Sequence, residues 1–348
     1  FGFLGLGVSG GESGARHGPA MMAGGTEQNY GRVREILEAI AAKYQGEPCV
    51  AHVGSGAAGH YVKTVHNGIE YGMMQLIAEA YDLFRRGFDW EHERIGDLFA
   101  QWNEGPIGGF LIEITAQILR YREEDGTVLV DLVSDKAKAK GTGKWTSQDA
   151  LDLGVPVPTI DAAVSARILS AYKSERLAVS ADAPLRVDEP SVDEASLAER
   201  MEGALHASFL TVYAQGLAQI AAASQEYGFD TDLETVARIW RAGCIVRSRL
   251  LEPIREAYAK KPEMSNLLLD PSISATLKDL DASLREVAAA FPAKRIPAPC
   301  FSASLAYLDG YRSVRLPANL IQAQRDLFGA HTFERLDREG AFHSEWGL

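Results

Sequence analysis

From Ala58 onward, apolar residues recur three and four apart with hardly a break, which commits most of this chain to helices packed on helices. Residues 62–86 read as one long helix opening after the Gly-rich break at 54–59. Further helices are expected over 91–103, 107–121, 127–138, 146–152, 160–178, 195–227, 232–242, 244–260, 263–269, 271–291 and 302–309. Residues 181–193 read as a solvated loop. The first 57 residues differ: 1–6 suit a buried strand, 30–44 a helix and 48–53 a second strand. The expected architecture is mainly α. A large all-helical domain over 58–315 follows an α/β segment over 1–57 and precedes an irregular, aromatic tail over 316–348. Gly87-Phe88-Asp89 returns as Gly228-Phe229-Asp230, each time after a long helix, so the helical part is expected to contain a duplicated unit.

Composition removes several classes of function. With 348 residues, of which 46% are hydrophobic, the chain can bury a core in about two domains and is not disordered. No run reaches the roughly 18–20 apolar residues of a membrane helix. Lys+Arg 35 against Asp+Glu 47 gives −12, which argues against nucleic-acid binding yet leaves room for one basic pocket. Three scattered cysteines point to a reducing, cytoplasmic setting, and no His, Cys or carboxylate group has metal-ligand spacing. The first residue is Phe rather than Met, and a bare apolar strand begins the chain, so a preceding segment is expected to be missing.

Four stretches can carry chemistry. On the helix at 62–86, Lys63, His66, Asn67, Glu70 and Tyr71 fall within a sector of about 140°. The neighbouring stripe is Val62, Val65, Ile69, Met73, Leu76, Ile77 and Ala80, so one face can pack while the other presents a base and an acid. At the repeat offset, the five polar positions become Ala204, Ala207, Ser208, Thr211 and Val212, so the scaffold itself does not require them. The second stretch, Gly5-Leu6-Gly7-Val8-Ser9-Gly10-Gly11-Glu12, contains a formal G-x-G-x-x-G. Because Gly11, Gly14, Gly18 and Pro19 follow, no helix is expected there. An anion loop made by Ser9 and the Gly10 and Gly11 N–H groups fits better than a dinucleotide fingerprint. Third, Lys136, Lys138, Lys140 and Lys144 surround a Gly-Thr-Gly turn without Walker A spacing. Fourth, the segment 320–331 is amphipathic at its start and brings Arg325 and His331, and such a late segment suits crossing onto a partner subunit.

Together these stretches resemble the 6-phosphogluconate dehydrogenase family. The resemblance rests on Gly7-Val8-Ser9-Gly10-Gly11-Glu12, Val62-Lys63-Thr64-Val65-His66-Asn67-Gly68-Ile69-Glu70-Tyr71-Gly72, Lys140-Gly141-Thr142-Gly143-Lys144-Trp145-Thr146, Ala166-Arg167, Trp240-Arg241-Ala242-Gly243-Cys244-Ile245-Val246-Arg247 and Gln324-Arg325-Asp326-Leu327-Phe328-Gly329-Ala330-His331, in that order. It implies oxidative decarboxylation of 6-phosphogluconate to ribulose 5-phosphate and CO₂ with reduction of NADP, without metal, by a homodimer whose tails exchange. It implies that residues 1–57 are a remnant of an NADP-binding Rossmann domain whose main binding segment is not in this chain, leaving the chain alone inactive. By resemblance, Lys63 is the general base and Glu70 the acid. Ser9, Gly10, Gly11, His66 and Asn67 hold the carboxylate end. Tyr71, Lys140 and Arg167 hold the phosphate, with Arg325 and His331 from the partner, and Glu12 lies near the nicotinamide. Two other readings remain open: a related β-hydroxyacid dehydrogenase, and a catalytically silent sugar-phosphate-binding or scaffold protein.

Overall fold

The computed structural model describes residues 2–182 and 193–347, so most of the loop expected at 181–193 lies outside the described residues. Two compact units are present, residues 1–305 and 306–348. The first opens with a three-stranded sheet ordered β1 (Leu4–Ser9), β2 (Ala20–Gly25) and β5 (Val50–Gly54). β1 runs antiparallel to β2, and β2 parallel to β5. Every residue of the central strand β2 is buried, as a strand with neighbours on both edges demands. A helix does follow the Gly-rich turn, contrary to expectation: α1 (Gly11–His17) joins β1 to β2. Its glycines do not break it, because Gly14 is buried and its N–H donates to the Gly10 carbonyl, fixing the turn from within. The helix α2 (Glu27–Ile40) starts at Thr26, whose hydroxyl accepts from the Asn29 N–H at 3.2 Å, and it packs Tyr30 and Leu37 on Met21, Ala23 and Val50. A short hairpin of β3 (Lys43–Tyr44) and β4 (Glu47–Pro48) precedes β5.

The helical part begins with α3 (Ala58–Asp82), which ends in a π-helical turn, Leu83–Gly87. All seven residues of the expected stripe on α3 are buried. Then come α4 (His92–Glu104), α5 (Phe110–Arg120), α6 (Leu129–Leu132), α7 (Thr142–Asp152), α8 (Pro158–Ser170), α9 (Lys173–Asp182), α10 (Glu194–Glu226), α11 (Leu233–Ile239), α12 (Leu251–Lys260), α13 (Pro271–Asp279), α14 (Asp281–Ala293) and α15 (Pro299–Arg312). Several expected helices are shorter or split. Residues 160–178 divide at Ala171–Tyr172, and 271–291 divide at Leu280. The helix expected from 244 starts only at Leu251, because Ser248 forms a bridge with Gly109 and holds that backbone extended.

α3 crosses α10 closely at two glycines: a Cβ on Gly72 would lie 2.9 Å from Val212 Cγ1, and one on Gly216 would lie 2.5 Å from Ile69 Cγ1. The repeated tripeptides occupy parallel places. Asp89 and Asp230, each after one of these long helices, take φ of 53° and 56°. The five positions on α10 that match the polar set of α3 are all fully buried.

Farther along α3, Glu79 is buried yet carries a carboxylate. It accepts the backbone N–H groups of Cys300 and Phe301 at 3.0 Å each, and the Gln75 amide at 3.1 Å. It therefore caps the first turn of α15, where backbone donors have no partner within the helix. Burial raises its pKa to about 7, against the lowering pull of those hydrogen bonds.

The second unit corrects the expectation of an irregular tail. It contains α16 (Ala318–Gly329) and a hairpin of β6 (Phe333–Glu334) with β7 (Ala341–Phe342).

Candidate active site

The sheet and α3 meet through glycines that leave no room for side chains. A Cβ on Gly59 would lie 2.3 Å from the carbonyl oxygens of Gly5 and Met22, and one on Gly7 would lie 2.6 Å from Lys63 Cβ. The first two glycines of the formal fingerprint, Gly5 and Gly7, thus serve close strand–helix packing, and they bring the end of β1 beside the first turns of α3. At that end the chain turns at Gly10, with φ of 123°, where a Cβ would meet the Gly243 carbonyl oxygen at 2.5 Å. Gly243 O also accepts the Ala20 N–H at 2.8 Å, so the loop after α11 braces this turn from behind.

Five of the expected residues converge here. His66 is fully buried, with its Nε2 at 3.1 Å from Ser9 Oγ and its ring edge-on to Trp240 at 5.3 Å. Lys63 Nζ lies 3.2 Å from His66 Nδ1 and donates to Asn67 Oδ1 at 2.5 Å. Glu70 Oε2 approaches the same Nδ1 at 3.9 Å. Lys63 and Glu70 therefore flank one ring nitrogen although they are seven residues apart. Burial lowers the pKa of Lys63, against opposing pulls from Glu70 and Cys244. Burial raises the pKa of Glu70, against Lys63 and Arg167. His66 is held well below its usual value, first by burial and then by the Lys63 charge, so its ring is neutral. His66 Nδ1 faces both Lys63 Nζ at 3.2 Å and Asn67 Oδ1 at 3.3 Å, and Nε2 faces Ser9 Oγ at 3.1 Å. An amine whose pKa is lowered and a carboxyl whose pKa is raised thus both approach one imidazole nitrogen.

α7 locks this arrangement through one residue per turn. Thr142 Oγ1 accepts from Asn67 Nδ2 at 2.8 Å, Thr146 Oγ1 donates to the Thr64 carbonyl at 2.9 Å, and Asp149 accepts from Tyr61 OH. These three residues were not singled out as site residues in the sequence, although the Gly-Thr-Gly-Lys-Trp-Thr stretch contains two of them.

Two turns farther along α3, about 12 Å from Lys63, the Tyr71 ring lies under the Arg167 guanidinium at 3.5 Å, with Gly143 pressed close to it. This pair lines a cavity of about 630 Å³ whose other charged lining residues are Lys136, Lys138 and Lys144. Four cations and no carboxylate line it, in a chain of net charge −12. Such a set of cations can pair with a multiply charged anion. Lys140 itself stands exposed between Ala139 and Gly141, which line the cavity. Glu12 is exposed on α1 and pairs with Arg16 at 2.9 Å. Arg325 and His331 belong to the second unit, where both are exposed: Arg325 donates to Gln322 at 3.0 Å, and His331 stands edge-on to Phe328. Among the described residues no cluster of His, Cys, Asp and Glu is arranged to hold a metal ion, and no helix is long and apolar enough to cross a membrane.

Comparison with known proteins agrees with this geometry along the chain. A family described as the 6-phosphogluconate dehydrogenase C-terminal domain matches residues 59–346, and the NAD binding domain of 6-phosphogluconate dehydrogenase matches residues 1–54. Coenzyme-domain sequence is therefore present over residues 1–54. The chain is 49% identical to the decarboxylating 6-phosphogluconate dehydrogenase of Escherichia coli K12, over 99% of the chain and 74% of the relative. It is 50% identical, with the same coverage, to the NADP(+)-dependent decarboxylating enzyme of Bacillus subtilis. The solved Plasmodium falciparum 6-phosphogluconate dehydrogenase, studied in its apo form and with NADP+ and 6-phosphogluconate, superimposes with a TM-score of 0.95 at 42% identity, over 99% of this chain and 74% of that one.

Proposed function

This chain belongs to the 6-phosphogluconate dehydrogenase family, and from that premise we propose how its own residues carry out the NADP-linked oxidative decarboxylation of 6-phosphogluconate. The observation that carries the reading is the pair Lys63 and Glu70, with opposite pKa shifts, on either side of His66 Nδ1.

Bound NADP would supply the hydride acceptor for C3 of the substrate. Ser9, the Gly10 and Gly11 N–H groups, His66 and Asn67 hold the carboxylate end and the adjacent hydroxyls. Lys63, as the free amine, takes the proton of the 3-hydroxyl. The resulting 3-keto acid then breaks its C1–C2 bond. CO₂ departs, and the electron pair moves to the carbonyl oxygen, which takes the proton back from Lys63. Glu70 protonates C1 of the enediol while Lys63 takes the proton of the adjacent C2 hydroxyl, and the new carbonyl gives ribulose 5-phosphate. No metal is invoked, because an ammonium beside the carbonyl oxygen supplies the same polarisation.

Tyr71, Lys140 and Arg167 hold the phosphate, with Arg325 and His331 supplied by a second copy of the chain in a tail-exchanged homodimer. Glu12, exposed on α1, would contact the nicotinamide side of the coenzyme. The proposed division is a coenzyme-side segment over 1–57, a catalytic and dimerisation domain over 58–315 and a tail over 316–348. Free, buried Cys49, Cys244 and Cys300 support a cytoplasmic setting.

Calorimetric titration with 6-phosphogluconate, with gluconate as control, tests the binding half of the reading. Binding that depends on the phosphate is expected, and equal affinity for the two acids would refute the phosphate assignment. For the chemical half, Lys63→Ala is expected to bind the substrate and lose turnover by at least about 10³-fold. Near-normal turnover would remove Lys63 from the role of base.

A further inference from the structure

We propose that Asp326, a residue that touches no substrate, is the positioning residue that fixes the two phosphate ligands of the tail, Arg325 and His331, in one geometry. The inference rests on the phosphate roles proposed above for those two residues.

Asp326 is fully buried in a unit whose neighbouring residues are mostly exposed. Its carboxylate accepts four donors from three places in the sequence. Oδ1 takes the Thr332 N–H at 3.0 Å and His343 Nδ1 at 2.9 Å. Oδ2 takes the Ser344 N–H at 3.1 Å and Trp346 Nε1 at 2.8 Å. Burial opposes the charge, but the bonds from His343, Trp346 and Ser344 outweigh it and hold the carboxyl down to about 2.

The consequence falls on His331. It sits between Ala330 and Thr332, whose φ values of 50° and 62° are unusual for residues other than glycine and persist only under outside constraint. That constraint is a two-sided clamp on Thr332. Asp326 accepts its N–H, while Gln322 Nε2 donates to its carbonyl at 2.6 Å. Gln322 in turn accepts from Arg325 Nη1 at 3.0 Å. The guanidinium, the loop carrying the imidazole and residues 343–346 therefore share one hydrogen-bonded frame. A flexible arm would have to be ordered by each phosphate it bound, whereas this one is ordered beforehand.

The test is calorimetry on the full chain with 6-phosphogluconate and gluconate. Asp326→Asn keeps the size of the side chain but turns an NH₂ toward groups that themselves donate, and it is expected to weaken 6-phosphogluconate binding about tenfold or more. Trp346→Phe removes one donor and keeps the ring, and a loss of about threefold is expected. Gluconate affinity is expected to stay unchanged in both, a selectivity that general destabilisation would not produce. If Arg325→Ala weakens 6-phosphogluconate binding and Asp326→Asn does not, the positioning role is wrong and the phosphate assignment stands. Should Asp326→Asn lower both affinities alike, its effect is structural and the proposal is overturned. If Arg325→Ala and His331→Ala both bind like the parent, the phosphate assignment falls and takes this inference with it.

Discussion

Glu79 offers a quantitative test of the helical framework. Its carboxylate is buried and is held by the Cys300 and Phe301 N–H groups and by Gln75. In the unfolded chain it titrates near 4.5, and in the fold near 7. Between those values the folded protein holds a proton that the unfolded chain has released. Stability from this group is therefore greatest in acid and falls as pH rises through the window. At about 1.4 kcal/mol per pH unit, the penalty reaches about 3 kcal/mol once pH exceeds 7. Glu79→Gln cannot ionise, and the cost of its altered hydrogen bonding does not depend on pH. The difference in unfolding free energy, variant minus parent, is expected to move in the variant's favour by about 2–3 kcal/mol between pH 5 and pH 8. Urea unfolding of both proteins at matched pH and ionic strength reads this directly. A difference that stays flat with pH would mean that Glu79 titrates as an exposed carboxylate, and the buried cap would be refuted.

Three further outcomes are expected. Gly59→Ala places a methyl group 2.3 Å from two backbone oxygens, so α3 must lift from the sheet. A loss of about 1–3 kcal/mol is expected, seen as a lower Tm, together with weaker substrate binding, because Lys63 sits one turn away. His66 is expected to stay neutral at pH 5.5 by NMR. Its folded pKa is depressed, so stability is full above the unfolded value near 6.5 and falls by about 1.4 kcal/mol per pH unit as pH drops below it. A ring titrating near 6.5 would contradict its burial. Arg167→Lys loses the planar contact with Tyr71 and is expected to weaken 6-phosphogluconate binding about tenfold while sparing gluconate. An unchanged affinity would remove Arg167 from the phosphate site.

What the sequence made legible was periodic. The stripe from Val62 to Ala80 is buried as its spacing implied, and Lys63, His66, Asn67 and Glu70 meet because helix geometry alone puts them on one side. Long-range pairing was not legible. Ser9 finds His66 across 57 residues, and Glu79 finds the Cys300 N–H across 221, through tertiary packing that no local pattern encodes. Local rules also misled where packing overrode them. The glycines of 10–18 suggested a loop, yet Gly14 is clamped within α1 beneath the Gly243 carbonyl. The tail read as irregular because a buried aspartate collecting donors from residues 332–346 leaves no periodic trace. The fingerprint reading at Gly5, Gly7 and Gly10 was set aside because no helix was expected after it, yet α1 follows, and the role of the first two glycines in close helix contact appears only in three dimensions.

The two long helices with matching successors have divided their tolerance of change. On α10, positions 204, 207, 208, 211 and 212 are sealed in the core, so what each accepts is decided by volume. An apolar residue of the right size meets the requirement, whereas a polar one must also find a hydrogen-bond partner, as Thr211 does at the Ala207 carbonyl. On α3, the corresponding positions 63, 66, 67, 70 and 71 border open space or a charged partner, and shape is the lesser demand. There, exchanges that keep volume and alter proton affinity, Lys63→Met or Glu70→Gln, are expected on the proposed roles to leave the protein folded and inert. A saturation scan of the two helices, scored separately for abundance and for turnover, would therefore yield one profile ordered by side-chain size and another ordered by acidity.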